Sequence, residues 1–113
     1  MNTQRAPIEL HLRIRVKPGM RDAFLDFMRK ATPYYESDGQ TRVCLLEDRA
    51  DPYSFIECMA YQSIEAYERG EQRVANDPKM QDYLRQWREL LAQPPVVEVY
   101  KNTTADIQAT KPS

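Results

Sequence analysis

The chain predicts an α+β fold in which one antiparallel sheet carries helices on a single face, and three patterns predict it. From Ile8 to Lys17 apolar and polar residues alternate without a break, the period of a half-buried strand. Two stretches, from Met20 to Ala31 and from Met80 to Leu91, repeat apolar residues at three- and four-residue spacing, the period of an amphipathic helix. Between them lie two short runs rich in Val, Ile, Leu, Phe and Cys, Thr41 to Asp48 and Ser54 to Tyr61. The link Arg49-Ala50-Asp51-Pro52-Tyr53 has turn chemistry, so the two runs read as a hairpin.

In the first strand Ile8, Leu10, Leu12, Ile14 and Val16 fall on one face, and Glu9, His11, Arg13, Arg15 and Lys17 on the other. Pro18-Gly19 breaks it. The first helix follows on Met20, Phe24, Phe27, Met28 and Ala31, with Asp22 in its first turn to complement the dipole, and Thr32-Pro33 is expected to end or kink it. Pairing the hairpin about Asp51 sets Cys44 opposite Cys58, Leu45 opposite Glu57 and Leu46 opposite Ile56. Ser63 caps a second helix carrying Ile64, Tyr67 and Val74. Asp77-Pro78 starts a third, whose stripe of Met80, Tyr83, Leu84, Trp87, Leu90 and Leu91 runs to about Ala92. Pro94-Pro95 ends that helix, and Val96 to Lys101 alternates as a last strand. Residues 1–7 read as a flexible N-terminus, 8–101 as the domain, and 102–113 as a polar tail.

This order is the ferredoxin-like split βαββαβ arrangement, with a four-stranded antiparallel sheet whose first and third strands are central. The helix-facing side is then expected to carry Ile8 to Val16 of strand one with Ile56, Cys58 and Ala60 of strand three. The open side would carry His11, Arg13, Arg15, Phe55, Glu57, Met59 and Tyr61, joined by Val43, Leu45, Glu98 and Tyr100. So mixed a face implies a partner: two copies packed sheet to sheet would cover its apolar side chains while its charges stay solvated or paired, with a polar cavity between sheet and helices.

Composition narrows the function classes. A chain of 113 residues holds one core, and 16 Lys and Arg against 17 Asp and Glu leave a net charge of -1, which gives no positive field for nucleic acid or anionic lipid. Apolar runs of only a few residues exclude a spanning helix, and Met1 to Pro7 lacks the apolar stretch of a secretory signal, so a cytoplasmic protein is expected, with no nucleic acid and no membrane as partner. One histidine and two cysteines give no metal-ligand spacing, and no phosphate-binding glycine loop, nucleophile elbow or dinucleotide fingerprint is present. Cys44 and Cys58 could bridge if directly opposite, but a reducing compartment and a helix-packed face favour two buried thiols.

Val16-Lys17-Pro18-Gly19 entering an amphipathic helix, then Phe55-Ile56-Glu57 running through Tyr61 and Ser63 into Glu65-Ala66-Tyr67, resembles the antibiotic-biosynthesis monooxygenase-like domains of the dimeric α+β barrel superfamily. The resemblance covers about residues 8–101. It implies a homodimer whose two sheets form a barrel. Members include cofactor-free oxygenases of phenolic or quinol-like molecules, haem-degrading enzymes, isomerases and proteins with no known activity. The haem-degrading branch takes its iron ligand from a histidine on the helix after strand three, where this sequence offers Tyr67, Glu68, Gln72 and Arg73.

Cofactor-free oxygenation needs a group that deprotonates or holds a phenolate-like substrate, since an electron-rich carbanion can pass an electron to dioxygen unaided. His11, Arg13 and Tyr61 suit that work as base, fixed cation and phenolic donor, and are the expected catalytic residues. Arg15, Phe55, Glu57, Met59 and Trp87 are the expected ligand contacts, in a cavity on the open sheet face, with no cofactor and no metal. Each has a plainer reading. His11 between Glu9 and Arg13 suits an interface hydrogen bond, Arg13 and Arg15 can pair with Glu57, and Trp87 sits mid-stripe as a core residue. Tyr34 and Tyr35 can gate a cavity mouth or cover the core edge. A non-catalytic dimer, or an isomerase or cyclase in which His11 or Glu57 moves a proton, uses the same scaffold.

Overall fold

The computed structural model describes residues 6–108. Its order is β1 (Ile8–Arg15), α1 (Arg21–Tyr35), β2 (Thr41–Asp48), β3 (Asp51–Tyr61), α2 (Ile64–Asn76), α3 (Pro78–Glu89), β4 (Val96–Lys101) and α4 (Thr104–Ile107). The strands form one antiparallel sheet in the order β2-β3-β1-β4, so β1 and β3 are central as the connectivity requires. The expected N-terminal flexibility concerns residues 1–5, which lie outside the described residues, together with Ala6 and Pro7. Pro7 offers its carbonyl to the Asn102 amide at 2.8 Å. The tail, expected to be loose, begins with α4, whose first amide is held by Asn102 Oδ1 at 3.0 Å. Residues 109–113 lie outside the described residues.

Local chemistry explains the element ends. Ser63 Oγ accepts the Ala66 amide at 3.0 Å and caps α2, while Asp77 Oδ1 accepts the Lys79 amide at 3.0 Å and caps α3 with Pro78 at its first position. Gly19 and Gly39 have φ of 80° and 71°, so the turns before α1 and after it both need a residue tolerant of the left-handed region. Of the two outcomes expected at Thr32-Pro33, the helix does not end there: α1 continues through Pro33 to Tyr35. Proline removes one amide, but Ala31 and Tyr35 are buried in the last turn, and their packing outweighs one missing hydrogen bond. The third helix also ends at Glu89, short of Ala92.

The hairpin pairs as its sequence indicates, with Cys44 opposite Cys58, Leu45 opposite Glu57 and Leu46 opposite Ile56, and with a register shift beside Asp48. The two faces of β3 are the reverse of those expected from the sequence. Ile14 pairs with Phe55, Leu12 with Glu57, Leu10 with Met59 and Ile8 with Tyr61, and directly opposed residues share a face. Phe55, Glu57, Met59 and Tyr61 therefore point toward the helices, along with Val43 and Leu45, and Ile56, Cys58 and Ala60 point to the open side. Both parities of Phe55-Ile56-Glu57-Cys58-Met59-Ala60-Tyr61 are largely apolar. Large Phe55 and Tyr61 fill the core layer better than Ile56 and Ala60, and Glu57 is carried inward with them.

The core gathers Ile14, Val16, Phe24, Phe27, Met28, Ala31, Tyr35, Phe55, Met80, Trp87 and Leu91 between sheet and helices. Phe24 and Val16 anchor it, at 0% and 1% exposure. On the open side Arg13 Nε donates to Glu98 at 2.8 Å, Arg15 Nη1 to Asp51 at 2.5 Å, and His11 Nε2 lies 3.1 Å from Glu9. The pairing of Arg13 or Arg15 with Glu57 does not form, because Glu57 lies through the sheet from both. Cys44 is exposed and only Cys58 is buried, since this pair sits on the open side.

Candidate functional site

Between sheet and helices lies a cavity of about 210 Å³. Its floor is Leu10, Leu12, Glu57, Met59, Tyr61 and Val97 from the sheet, and its roof is Gly70, Arg73 and Val74 of α2 with Met80, Leu84 and Trp87 of α3. Tyr35 and Thr41 close one end, and Arg88 and Pro95 lie at the other. A fully apolar cavity of about 150 Å³ takes up benzene, so this one has room for a small ring system. The break at Asp77 bends the chain between α2 and α3 so that both helices overlie it. A cluster around Tyr34 fixes the break: its hydroxyl donates to Asp77 Oδ2, and Arg73 and Lys79 stand over its ring at 4.6 and 4.7 Å. That hydrogen bond, ahead of the Lys79 amide and Arg73, holds the Asp77 carboxyl below the usual carboxylate range.

Glu57 is the chemically unusual residue. It is 2% exposed, and its Oε1 has no hydrogen-bond partner among the described residues. Burial pushes its carboxyl up to about 7, offset in part by the nearby indole N–H of Trp87. That N–H lies close without closing a bond, for Trp87 Nε1 is likewise buried and unpartnered. Two phenols complete the polar set. Tyr35 is raised well above the ordinary tyrosine value by burial first and then by the charge of Glu57, and Tyr61 is pushed up to about 12, chiefly by burial. Both stay neutral at physiological pH and can donate hydrogen bonds. Tyr61 Oη stands 3.6 Å from Met59 Sδ.

The sheet separates the residues expected to act together. Tyr61, Glu57, Met59 and Trp87 meet in the cavity. His11 and Arg13 lie on the opposite side of the sheet, His11 edge-on to the Tyr100 ring at 5.0 Å, and Arg15 lies there too. Phe55 is packed at 2% exposure against Phe24, with ring centroids 5.0 Å apart, outside the cavity. The cavity itself sits on the helix side of the sheet, away from the open face. Tyr35, read from the sequence as a cavity-mouth or core-edge residue, lines the cavity, whereas Thr41, Arg73 and Met80 were missed as wall residues. Of these, Met80 carried a signal, since it opens the apolar stripe of α3.

No protein-family profile matches the chain, and no curated protein does at the sequence level. Solved structures do match. A cofactor-independent oxygenase, SnoaB of Streptomyces nogalater, superimposes with a TM-score of 0.73 at 14% identity over 86% of this chain and 93% of that one. An antibiotic biosynthesis monooxygenase gives 0.69 at 13% identity, over 85% and 98%. The chain has the antibiotic-biosynthesis-monooxygenase fold. A conserved protein of Methanosarcina mazei shares it at a TM-score of 0.73 and 11% identity, over 88% of this chain and 95% of that one. Identities this low carry the fold and leave the chemistry to the residues of the cavity.

Proposed function

We propose that this protein is a cofactor-free oxygenase of a small hydroxyarene bound in the sheet–helix cavity. The observation that carries the reading is Glu57: the one carboxylate of a largely apolar cavity, buried, with its Oε1 unpartnered and a proton affinity that suits a general base at neutral pH. Glu57 takes the hydroxyl proton, and the electron-rich arenolate reduces dioxygen. Oxygen then joins the ring carbon para to the hydroxyl as a hydroperoxide. Loss of water breaks the O–O bond and leaves a quinone, so that 1-naphthol and dioxygen give 1,4-naphthoquinone and water. The likeness to a cofactor-independent oxygenase supports this class of reaction. Free Cys44 and Cys58 suit a reducing, cytoplasmic setting.

A homodimer belongs to the same reading. Exposed apolar side chains concentrate on the edge strand β4, where Val96 and Tyr100 face one side and Val97 and Val99 the other, at 51%, 43%, 58% and 49% exposure. Val97 also lines the cavity, so a second copy seated on β4 would seal it.

Dioxygen uptake with 1-naphthol tests the reaction. Uptake with quinone formation, rising with pH through about 7 as Glu57 ionises and falling ~100-fold or more in Glu57→Gln, is the expected result. Conversion at equal rate in anaerobic buffer would instead make the protein an isomerase, and unchanged uptake in Glu57→Gln would remove Glu57 as base.

A further inference from the structure

Two buried polar atoms meet the same cavity with nothing to bond: Glu57 Oε1, which can accept, and Trp87 Nε1, which can only donate. Buried polar groups are rarely left so, and each costs about 1–3 kcal/mol unless something satisfies it. The two lie close enough to influence one another yet form no bond together. The rest of the wall is largely apolar, Leu10, Leu12, Met59, Met80, Leu84 and Val97, and its polar groups, Tyr35, Tyr61, Thr41, Arg73 and Arg88, make no hydrogen bond to either atom.

We infer that one ligand oxygen bridges Trp87 and Glu57, and that Trp87 is the oxyanion donor of this site. A hydroxyl oxygen fits both demands, because it donates its proton to Oε1 and accepts from the indole N–H. When the proton moves to Glu57, the oxygen becomes an oxyanion, and the bond from Trp87 strengthens as charge develops on it. The ligand class is thereby an aromatic molecule with a free, unetherified hydroxyl. A ketone or an ether, each an acceptor only, would satisfy Trp87 and leave Glu57 Oε1 without a donor. This rests on the reading of the cavity as the substrate site, but it concerns binding and ionisation, and it can hold even if no oxygenation occurs.

The test is binding of naphthalene, 1-methoxynaphthalene and 1-naphthol to the full chain. Trp87 is the only tryptophan, so its emission reports cavity occupancy directly. The expected result is 1-naphthol binding about tenfold or more tighter than both analogues, the methoxy compound losing the donor that Glu57 needs. Bound 1-naphthol should also ionise at lower pH than free, seen in its own absorbance. In Trp87→Phe, measured by calorimetry, the preference for naphthol over naphthalene should shrink about fivefold or more and the ionisation should return toward the free value. Equal affinities for the three ligands in the unaltered protein would overturn the inference and leave a water molecule as the bridging group. A Trp87→Phe protein that keeps both the preference and the ionisation shift would overturn it as well. Tight, ionised naphthol without dioxygen uptake would sink the oxygenase and leave the bridge standing.

Discussion

Glu57 makes the protein's stability depend on pH in a direction opposite to that of most carboxylates. Its pKa is about 7 folded against an ordinary value of 4.5, so between those values the folded chain holds a proton that the unfolded chain has lost. Stability is therefore fully present below pH 4.5 and is lost as pH rises through 7, by about 3 kcal/mol in all from this one group. Urea unfolding between pH 5 and pH 8 checks it. Glu57→Gln should flatten the decline and be the more stable protein at pH 8, with little difference at pH 5. The sequence marks Glu57 as a lone acid within an apolar strand, which is a visible signal. It does not say which way the side chain points. Nothing within Phe55 to Tyr61 decides that, because both faces of that segment are largely apolar, and the choice is made by which face packs better on Phe24.

At the scale of elements, the helix roof depends on its cap and on a close approach. Ser63→Ala removes the acceptor for the Ala66 amide and should cost about 1 kcal/mol, read as a lower urea midpoint with an unchanged slope. Gly70 has no such simple account, since sequence alone marks it as a weak point in a helix. A Cβ there would stand 3.1 Å from the Tyr61 ring, so α2 lies close to the floor because this residue has no side chain. Gly70→Ala should gain up to about 1 kcal/mol of helix propensity and lose more to the clash, for a net fall in melting temperature. In a Tyr61→Leu background the same substitution should raise it. Element types and order were legible because periodicity and caps are local. The break at Asp77-Pro78 was legible for the same reason, while the passage of α1 through Pro33 was not, because the burial of Tyr35 that sustains it is tertiary.

The whole molecule presents a sheet whose open side pairs Arg13 with Glu98 and Arg15 with Asp51 within the chain, and a β4 edge that has not covered its apolar side chains. Phe55, Met59, Val43 and Leu45, the apolar side chains expected on the open side, all lie on the helix side. The exposed apolar side chains that a partner would cover are Val96, Val97, Val99 and Tyr100 of β4. Light scattering should show a dimer, and Val97→Glu with Val99→Glu should give a folded monomer with weaker naphthol binding, because the cavity wall at Val97 would open. A monomeric unaltered protein would count against the β4 contact. Among the described residues no helix is long and apolar enough to cross a membrane, and no group of three His, Cys, Asp or Glu converges as a metal site would need.

Residue spacing dictated the order of strands and helices, the antiparallel sheet with its central pair, and the caps. These follow from residue spacing and from turn and cap chemistry within a few positions of each other. The side of the sheet on which Glu57 and Tyr61 lie is set by tertiary packing, and with it that His11 and Arg13 stand apart from them and that Trp87 joins them. A strand fixes that its neighbours alternate, but which alternate set is buried is a comparison of two packings, and its terms come from residues distant in the chain.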